Sequence, residues 1–364
     1  MFKSLAGVVF AMEFDITMPL ALFAVTVLAL FLNKRVEGKL KKTFEEREFH
    51  NRDAFLFAAM VTVTVSVIAF VPQMTITTVF LFSYFTLLFT FSYLFSNMSK
   101  RKAQLFCLAF GVAGWAAGTV AVLSPLADSL MFYGGWALCG LAAFAFFVMV
   151  YERTRAATRE RWYLAVLPPV LFVLLYLVYN GTILWFPYLL NVYAVMFAVL
   201  IILYLGSLFS WKNVFIFAAL LTVMDIILVL FTGVMVTAAQ TVSGLGLPVL
   251  VSLPTLPLVI TEQGIQYISL GLGDFFFTGI LATQTYKRFG KKTAVSSAVT
   301  MCVSFGIFEA FLLSTNFGAF PGTVMIICGW LPVVAWKLVA ERKTKKNNRI
   351  VELNQKRKGA SLAE

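Results

Sequence analysis

The sequence predicts an all-α polytopic membrane protein. Of its 364 residues, 60% are apolar and only 13% are charged, about half the charged share of a typical soluble domain. The apolar residues form continuous runs of about 18 to 25 residues, which suit membrane-spanning helices and lack the alternation of membrane-spanning strands. This composition excludes a soluble domain, a disordered chain and a nucleic-acid-binding protein.

Eleven apolar runs are predicted to cross the membrane. In chain order they are Leu20–Asn33 (extended back to Ile16), Ala54–Pro72, Ile76–Ser96, Gln104–Ser124, Met131–Tyr151, Tyr163–Asn180, Phe186–Phe209, Val214–Val236, Gly264–Ala282, Ala294–Leu313 and Phe320–Val339. The first seven make up an N-terminal region, residues 1–213. The last four form the region 214–339, and a basic tail follows at 340–364.

The basic residues predict how the chain is oriented. Every loop that contains lysine or arginine follows an odd-numbered span, and the loops after even-numbered spans contain neither. By the positive-inside rule, the N-terminus lies outside and the tail is cytoplasmic. The net charge of +12 then reflects topology, with some attraction to anionic lipid head groups, and requires no nucleic-acid partner.

Histidine and cysteine usage excludes several kinds of chemistry. A single histidine, His50, rules out a multi-histidine zinc site, and the HExxH motif of metalloproteases is absent. The four cysteines (Cys107, Cys139, Cys302 and Cys328) lie in apolar stretches without CxxC spacing, so we interpret them as buried free thiols. The sequence predicts neither a metal nor a cofactor.

Two aspartates are predicted to lie at the middle of the membrane. Asp225 and Asp274 are each about ten residues from the outer ends of the eighth and ninth spans, or about 15 Å deep in a hydrocarbon core about 30 Å thick. An ionised aspartate costs about 2.5–3.5 kcal/mol at that depth, so both should face protein or water. Glu309 and Lys337 lie nearer the ends of their spans, where a structural or snorkelling role is expected.

The second aspartate completes the motif Gly271-Leu272-Gly273-Asp274, and Phe275-Phe276-Phe277 follows it. Glycines at these positions would let a neighbouring helix approach closely and let the backbone leave ideal helical geometry. Both effects would help two carboxyl groups on separate helices to meet.

These residues resemble the presenilin and signal peptide peptidase family of GxGD intramembrane aspartyl proteases. In that family one aspartate lies on each of two consecutive core helices, the second within GxGD, and a Pro-Ala-Leu motif lies on the last helix. Asp225 matches the first position, Gly271, Gly273 and Asp274 match the second, and Phe320-Pro321-Gly322 lies where the third motif should be. The likeness covers Val214–Val339.

The chain departs from the family pattern in three respects. Met224 replaces the usual tyrosine before the first aspartate, and Gly322-Thr323 replaces Ala-Leu after Pro321. Eleven spans in place of nine imply a presenilin-like core with two extra N-terminal helices. The predicted orientation resembles that of signal peptide peptidase.

The resemblance implies an intramembrane aspartyl endopeptidase that cleaves transmembrane segments of signal-peptide or single-span substrates. Two neighbouring carboxyl groups cannot both ionise cheaply, so they share a proton and titrate as a pair. One activates water and the other donates to the scissile carbonyl oxygen; the sequence does not assign which is which. The expected partners are transmembrane proteins or peptides and membrane lipids, with the oligomeric state left open.

Two segments are predicted to bind substrate. Relatives use the region around Val249, Leu250, Val251 and Ser252 as a strand that pairs with the unwound substrate, although a re-entrant or interfacial loop is an equal alternative. Pro321, with Phe320 and Gly322, is predicted to shape the site. The alternative for Pro321 is an ordinary proline in the first turn of a helix.

Three other functions stay open. The aspartate pair would also suit a proton- or cation-coupled transporter or channel, although no internal repeat is evident. A prepilin-type GxGD peptidase is disfavoured by Phe275-Phe276, because those enzymes usually have lysine soon after the aspartate. An inactive, chaperone-like relative is the third.

Overall fold

The computed structural model describes residues 14–43, 51–68, 71, 73–125, 128–154, 161–261, 264–315 and 320–360. His50 and the basic residues within 44–50 and 155–160 lie outside these ranges. Twelve α-helices and two small antiparallel sheets account for most of the described residues. The predicted all-α class is therefore correct for the architecture as a whole.

The helices and strands follow one another along the chain with short connections. The helices are α1 Thr17–Thr43, α2 Asn51–Ile68, α3 Gln73–Leu94, α4 Lys100–Leu123, α5 Ser129–Thr154, α6 Leu167–Tyr179, α7 Leu190–Leu208, α8 Trp211–Ile226, α9 Val234–Gly244, α10 Leu272–Phe289, α11 Lys291–Thr315 and α12 Gly322–Ala360. The strands are β1 Leu250–Pro254, β2 Ile260–Thr261, β3 Gly264–Ile265 and β4 Tyr267–Gly271. Short 3₁₀ or π-helical turns precede α6 and α7, and a π-helical turn follows α8.

Nine helical segments of the described chain are long and apolar enough to cross a membrane. They coincide with nine of the eleven predicted spans. The second predicted span is represented by α2, whose apolar part, Phe55–Ile68, is shorter, and the ninth by α10, which is not among the nine. The multi-pass membrane character is confirmed, whereas the count of eleven stays a prediction.

Helix α10 is at the centre of the molecule. It packs against α1, α7, α8, α11 and α12, and its residues 277–285 are buried throughout. The approach to α7 is close because Gly279 has no side chain: a Cβ there would lie 2.7 Å from Cγ2 of Ile202. The central position of α10 places its first turn, which contains Asp274, inside the bundle.

The start of α10 corrects the predicted ninth span. The sequence places a helix over Gly264–Ala282, but residues up to Gly271 form β3 and β4, and the helix begins at Leu272. An apolar run by itself does not distinguish a buried strand from a helix, and the β-branched and aromatic residues Ile265, Tyr267 and Ile268 favour the strand. Asp274 is consequently the third residue of its helix and not near the middle of one.

The predicted eighth and eleventh spans also differ from the structure at their ends. The eighth, Val214–Val236, is divided into α8, a π-helical turn at Ile227–Phe231 and α9, with Gly233 in the left-handed conformation (φ 66°) at the junction. A residue with a Cβ would be strained there, which explains the glycine. The last helix does not end at Val339 but continues as α12 to Ala360.

Strands β1 and β4 form an antiparallel hairpin that leads directly into α10. Ser252 is opposite Ser269, and Leu250 is opposite Gly271. The N–H of Leu272 donates to the carbonyl of Val249 at 2.9 Å, which joins the beginning of α10 to the hairpin. The hairpin therefore fixes where the GxGD segment lies.

Candidate active site

Asp225 lies one residue before the end of α8, directly ahead of the π-helical turn. Turns of this kind interrupt regular helices and occur frequently at functional sites. Thr222 is one turn earlier on the same helical face. Its hydroxyl is buried and has no hydrogen-bond partner within the described ranges.

Asp274 lies in the first turn of α10, immediately after β4. The N-terminal turn of a helix carries free N–H groups and the positive end of the helix dipole, both of which favour a carboxylate nearby. The hydroxyl of Thr278 bonds to the backbone carbonyl of Asp274 at 2.8 Å and not to its carboxyl group.

The first turn of α12 brings the two aspartates together. Thr323 donates to Oδ2 of Asp225 twice, from its backbone N–H at 3.2 Å and from its hydroxyl at 2.7 Å. The adjacent Gly322 lies against Asp274, since a Cβ at Gly322 would be 2.8 Å from Cγ of that aspartate. The carboxyl groups are near enough for the charge of Asp225 to act on Asp274. Asp225, Asp274, Gly322 and Thr323 thus form one cluster, although the two aspartates are 49 positions apart in the sequence.

The glycines of the GxGD motif act differently from the prediction. Among the described residues, no neighbouring helix comes within 4 Å of a Cβ built at Gly271 or Gly273; a Cβ at Gly271 would meet Oδ2 of Asp274 at 3.7 Å, and one at Gly273 would meet the Phe276 ring at 3.9 Å. The reason is that α10 starts at Leu272, so both glycines lie at a strand–helix junction and not within a helix–helix contact. Leu272 itself is buried.

The remaining residues of the predicted third motif, Phe320 and Pro321, have other partners. Phe320 stacks on Phe308 of α11 with ring centroids 5.7 Å apart. Pro321 is buried, and its carbonyl accepts a hydrogen bond from the N–H of Val324 at 3.2 Å. Pro321 therefore lies directly before α12. This position is similar to the alternative expected for it, an ordinary proline in the first turn of a helix.

A strand does form at the predicted substrate-binding segment, but its outer edge is occupied. Val251 is fully buried in the core. Asn191 of α7 accepts from the N–H of Ser252 at 2.7 Å and donates to the carbonyl of Ser252 at 2.5 Å. Thr17 donates to the carbonyl of Pro254 at 3.1 Å. These side chains occupy the places that a paired strand would need on β1.

The open edge of the hairpin belongs to β4. Because Leu272 and Val249 form a hydrogen-bonded pair, the alternation of an antiparallel ladder directs the N–H and C=O of Ser269 away from β1. Those groups have no partner among the described residues, and Ser269 is exposed. The open edge ends at Gly271, three residues before Asp274.

A separate cavity of about 360 Å³ lies beside β1. Its walls include Trp185, Leu190, Gly246, Leu250 and Ser252, and neither aspartate lines it. It therefore adjoins the occupied edge of the hairpin and not the aspartate pair.

The other acidic residue predicted within a span, Glu309, lies on α11. Glu309 of α11 is only 8% exposed, and one of its carboxylate oxygens has no partner among the described residues. Asp15 is near enough for its charge to act on Glu309, and it accepts hydrogen bonds from the N–H groups of Met18 and Leu256. Glu309 is thus buried and does not snorkel. In the described part of the chain, no group of three or more histidine, cysteine, aspartate or glutamate side chains could hold a metal ion.

Three features of the site were not predicted from the sequence. Thr323 was noted only as a departure from Pro-Ala-Leu, although a threonine at the start of a helix commonly bonds to nearby acceptors. Asn191 is a polar residue in an apolar run, which is a signal for a buried hydrogen-bond role. Nothing in the sequence indicated the open edge of β4, because the apolar run that contains its residues predicts a helix.

Comparison of the chain with models of known protein families and with curated protein sequences finds no match. The resemblance to intramembrane aspartyl proteases therefore rests on the residues of the site.

Proposed function

We propose that this protein is an intramembrane aspartyl endopeptidase that hydrolyses peptide bonds in transmembrane segments, with Asp225 and Asp274 as its catalytic residues. The observation that carries the proposal is that the two carboxyl groups lie against adjacent residues, Thr323 and Gly322, in the first turn of α12. Two carboxyl groups that share one proton can supply a general base and a general acid together, as hydrolysis of an amide requires.

The hairpin supports a peptide substrate. A helical substrate hides its peptide bonds, so it must be extended before cleavage, and an added strand is the simplest way to hold it. We place the substrate on the open edge of β4, at Ser269, and not on β1 as the sequence suggested. A strand bonded there would run past Gly271 towards Asp274.

Polar groups at the site also support hydrolysis. The buried hydroxyl of Thr222 and the carboxyl of Asp274 have hydrogen-bonding capacity that the described residues do not use. Water is the natural partner of such groups, because a buried polar atom without a partner is costly. A water molecule bonded there would be beside both aspartates.

The test is cleavage of a fluorescent single-span peptide by the purified full-length protein in detergent and in liposomes. We expect the wild type to cleave it, and Asp225→Asn and Asp274→Asn each to lower the rate by on the order of 10²–10⁴-fold, because each removes a general acid or base. Asp128→Asn is the matched control, since Asp128 is exposed and its carboxylate accepts the N–H of Met131 at the start of α5, outside the site.

The same preparations distinguish the other functions. Proton or cation flux into liposomes that needs both aspartates, without cleavage, would select a transporter or channel. Cleavage that persists in both aspartate variants would show that another protein in the preparation is the protease. Binding of the peptide with neither flux nor cleavage would indicate an inactive relative.

A further inference from the structure

The two aspartates have unlike hydrogen-bond environments. Oδ2 of Asp225 accepts both donors of Thr323, whose side chain is 5% exposed. The backbone N–H of Thr323 belongs to the first turn of α12, where N–H groups have no partner within the helix. Two donors to one oxygen, one of them at a helix N-terminus, favour the ionised form of Asp225 relative to a carboxyl group that has no such donors.

Asp274 also lies in the first turn of a helix, α10, whose dipole favours a carboxylate, but it lacks the two direct donors that Asp225 has. Its carboxyl group accepts no hydrogen bond from the described residues, and the nearby hydroxyl of Thr278 is directed to its backbone carbonyl. The residue that α12 places against it is Gly322, which contributes no side-chain donor. The difference between the two carboxyl groups therefore arises from two adjacent residues of one helical turn.

Among the described residues, few other charged or titratable side chains lie near Asp225 to offset the difference in hydrogen bonding between the two aspartates. Helix α8 packs against α2, α10 and α12. Asp274 is the charged group that faces it from α10, and the apolar part of α2, Phe55–Ile68, has no ionisable side chain. On α12 the first ionisable side chain is Cys328, which is exposed on the outside of the bundle.

We infer that Thr323 is a positioning residue that holds Asp225 as the general base and leaves Asp274 as the general acid. The inference rests on the proposed function. Water adds its oxygen to the scissile carbonyl carbon while its proton passes to Asp225, and Asp274 gives its proton to the carbonyl oxygen. When the resulting gem-diol collapses, the C–N bond breaks, the nitrogen takes the proton from Asp225, and Asp274 recovers a proton from one hydroxyl.

The first test compares the pH dependence of kcat/KM for the wild type, Thr323→Val and Thr323→Ser. Valine keeps the shape and the backbone N–H but removes the hydroxyl that favours the carboxylate, so the acidic limb should move up by about one to two pH units. Serine should restore the wild-type limb. If the valine variant is slower at every pH but the acidic side of its pH profile does not move, the role of Thr323 is only structural and the inference is overturned.

The second test does not depend on activity. The chain has five aspartates, so labelling their carboxyl carbons with ¹³C gives a sparse NMR spectrum in which Asp225→Asn and Asp274→Asn assign the two signals. We expect Asp225 to ionise at lower pH than Asp274, and Thr323→Val to narrow the gap. Ionisation of Asp274 first, or no change in the valine variant, would refute the assignment.

The two tests separate the inference from the proposed function. If the wild type cleaves no peptide but the carboxyl signals behave as expected, the protease proposal fails and the division between the aspartates stands. If the wild type cleaves and the valine variant has the wild-type pH profile, the protease proposal stands and the role of Thr323 is wrong.

Discussion

Position 322 shows how one missing side chain shapes the site. The family that the site residues resemble has alanine after the proline of its third motif, whereas this chain has Gly322. A Cβ there would lie 2.8 Å from Cγ of Asp274, so the space that an alanine would need is filled by the carboxyl group of Asp274. The departure from the family motif is thus matched by the position of Asp274.

Restoring the family residue should therefore harm this protein. Gly322→Ala would push the Asp274 carboxyl group aside, and a displacement of about 1 Å at a reacting group costs on the order of 100-fold in rate. We expect peptide cleavage to fall by about that factor while the thermal unfolding midpoint changes little.

Gly140→Ala is the matched control for this substitution. A Cβ at Gly140 meets no atom within 4 Å, and alanine favours a helix interior over glycine, so activity should be retained. Full activity of Gly322→Ala would show that Asp274 does not need the position described here.

Among the secondary structure elements, the hairpin was the hardest to predict from sequence. Residues 264–271 are apolar enough to continue the helix that follows, and composition alone favoured a single span. What selects the strand is tertiary: β4 pairs with β1, and the outer edge of β1 is held by Asn191 of α7 and Thr17 of α1. Those partners are distant in the sequence, so local patterning does not indicate them.

The open edge of β4 gives a prediction for substrate binding. Ser269→Pro removes the outward N–H without removing a ladder bond of the hairpin, since proline is tolerated at a sheet edge. If the substrate bonds there, cleavage should fall by about two- to tenfold through the loss of one backbone hydrogen bond.

The control for that change is Ser269→Ala. It removes the hydroxyl that bonds Ser252 at 2.7 Å but keeps the backbone N–H, so any effect of the side chain alone appears in it. Equal cleavage rates for the proline and alanine variants, with equal unfolding midpoints, would place the substrate elsewhere.

For the molecule as a whole, the distribution of charge predicts the orientation in the membrane. The basic residues lie after odd-numbered spans, which places the C-terminus in the cytoplasm and the loop at Asp128 outside. The positive charges of α12 beyond Lys337 belong to the predicted cytoplasmic end, where anionic lipids attract them.

Reporter fusions test this orientation. A fluorescent protein that matures only in the cytoplasm should be bright when joined after Glu364, and alkaline phosphatase, which needs an oxidising compartment, should be active when inserted beside Asp128. A dark C-terminal fusion together with inactive phosphatase would reverse the topology and, with it, the direction in which substrates enter.

The sequence by itself determined the membrane class and the approximate position of nine spans, and it identified the two aspartates as candidate site residues. The reason is that a continuous apolar run in a bilayer must form a helix, and an isolated charge within it must face protein or water. Tertiary structure decided where α10 begins, which edge of the hairpin is open and which residues of α12 hold the aspartates. Each of these depends on contacts between segments far apart in the chain, such as that of Thr323 with Asp225. Hydrophobic periodicity reports only which residues are apolar and does not report which distant groups they meet.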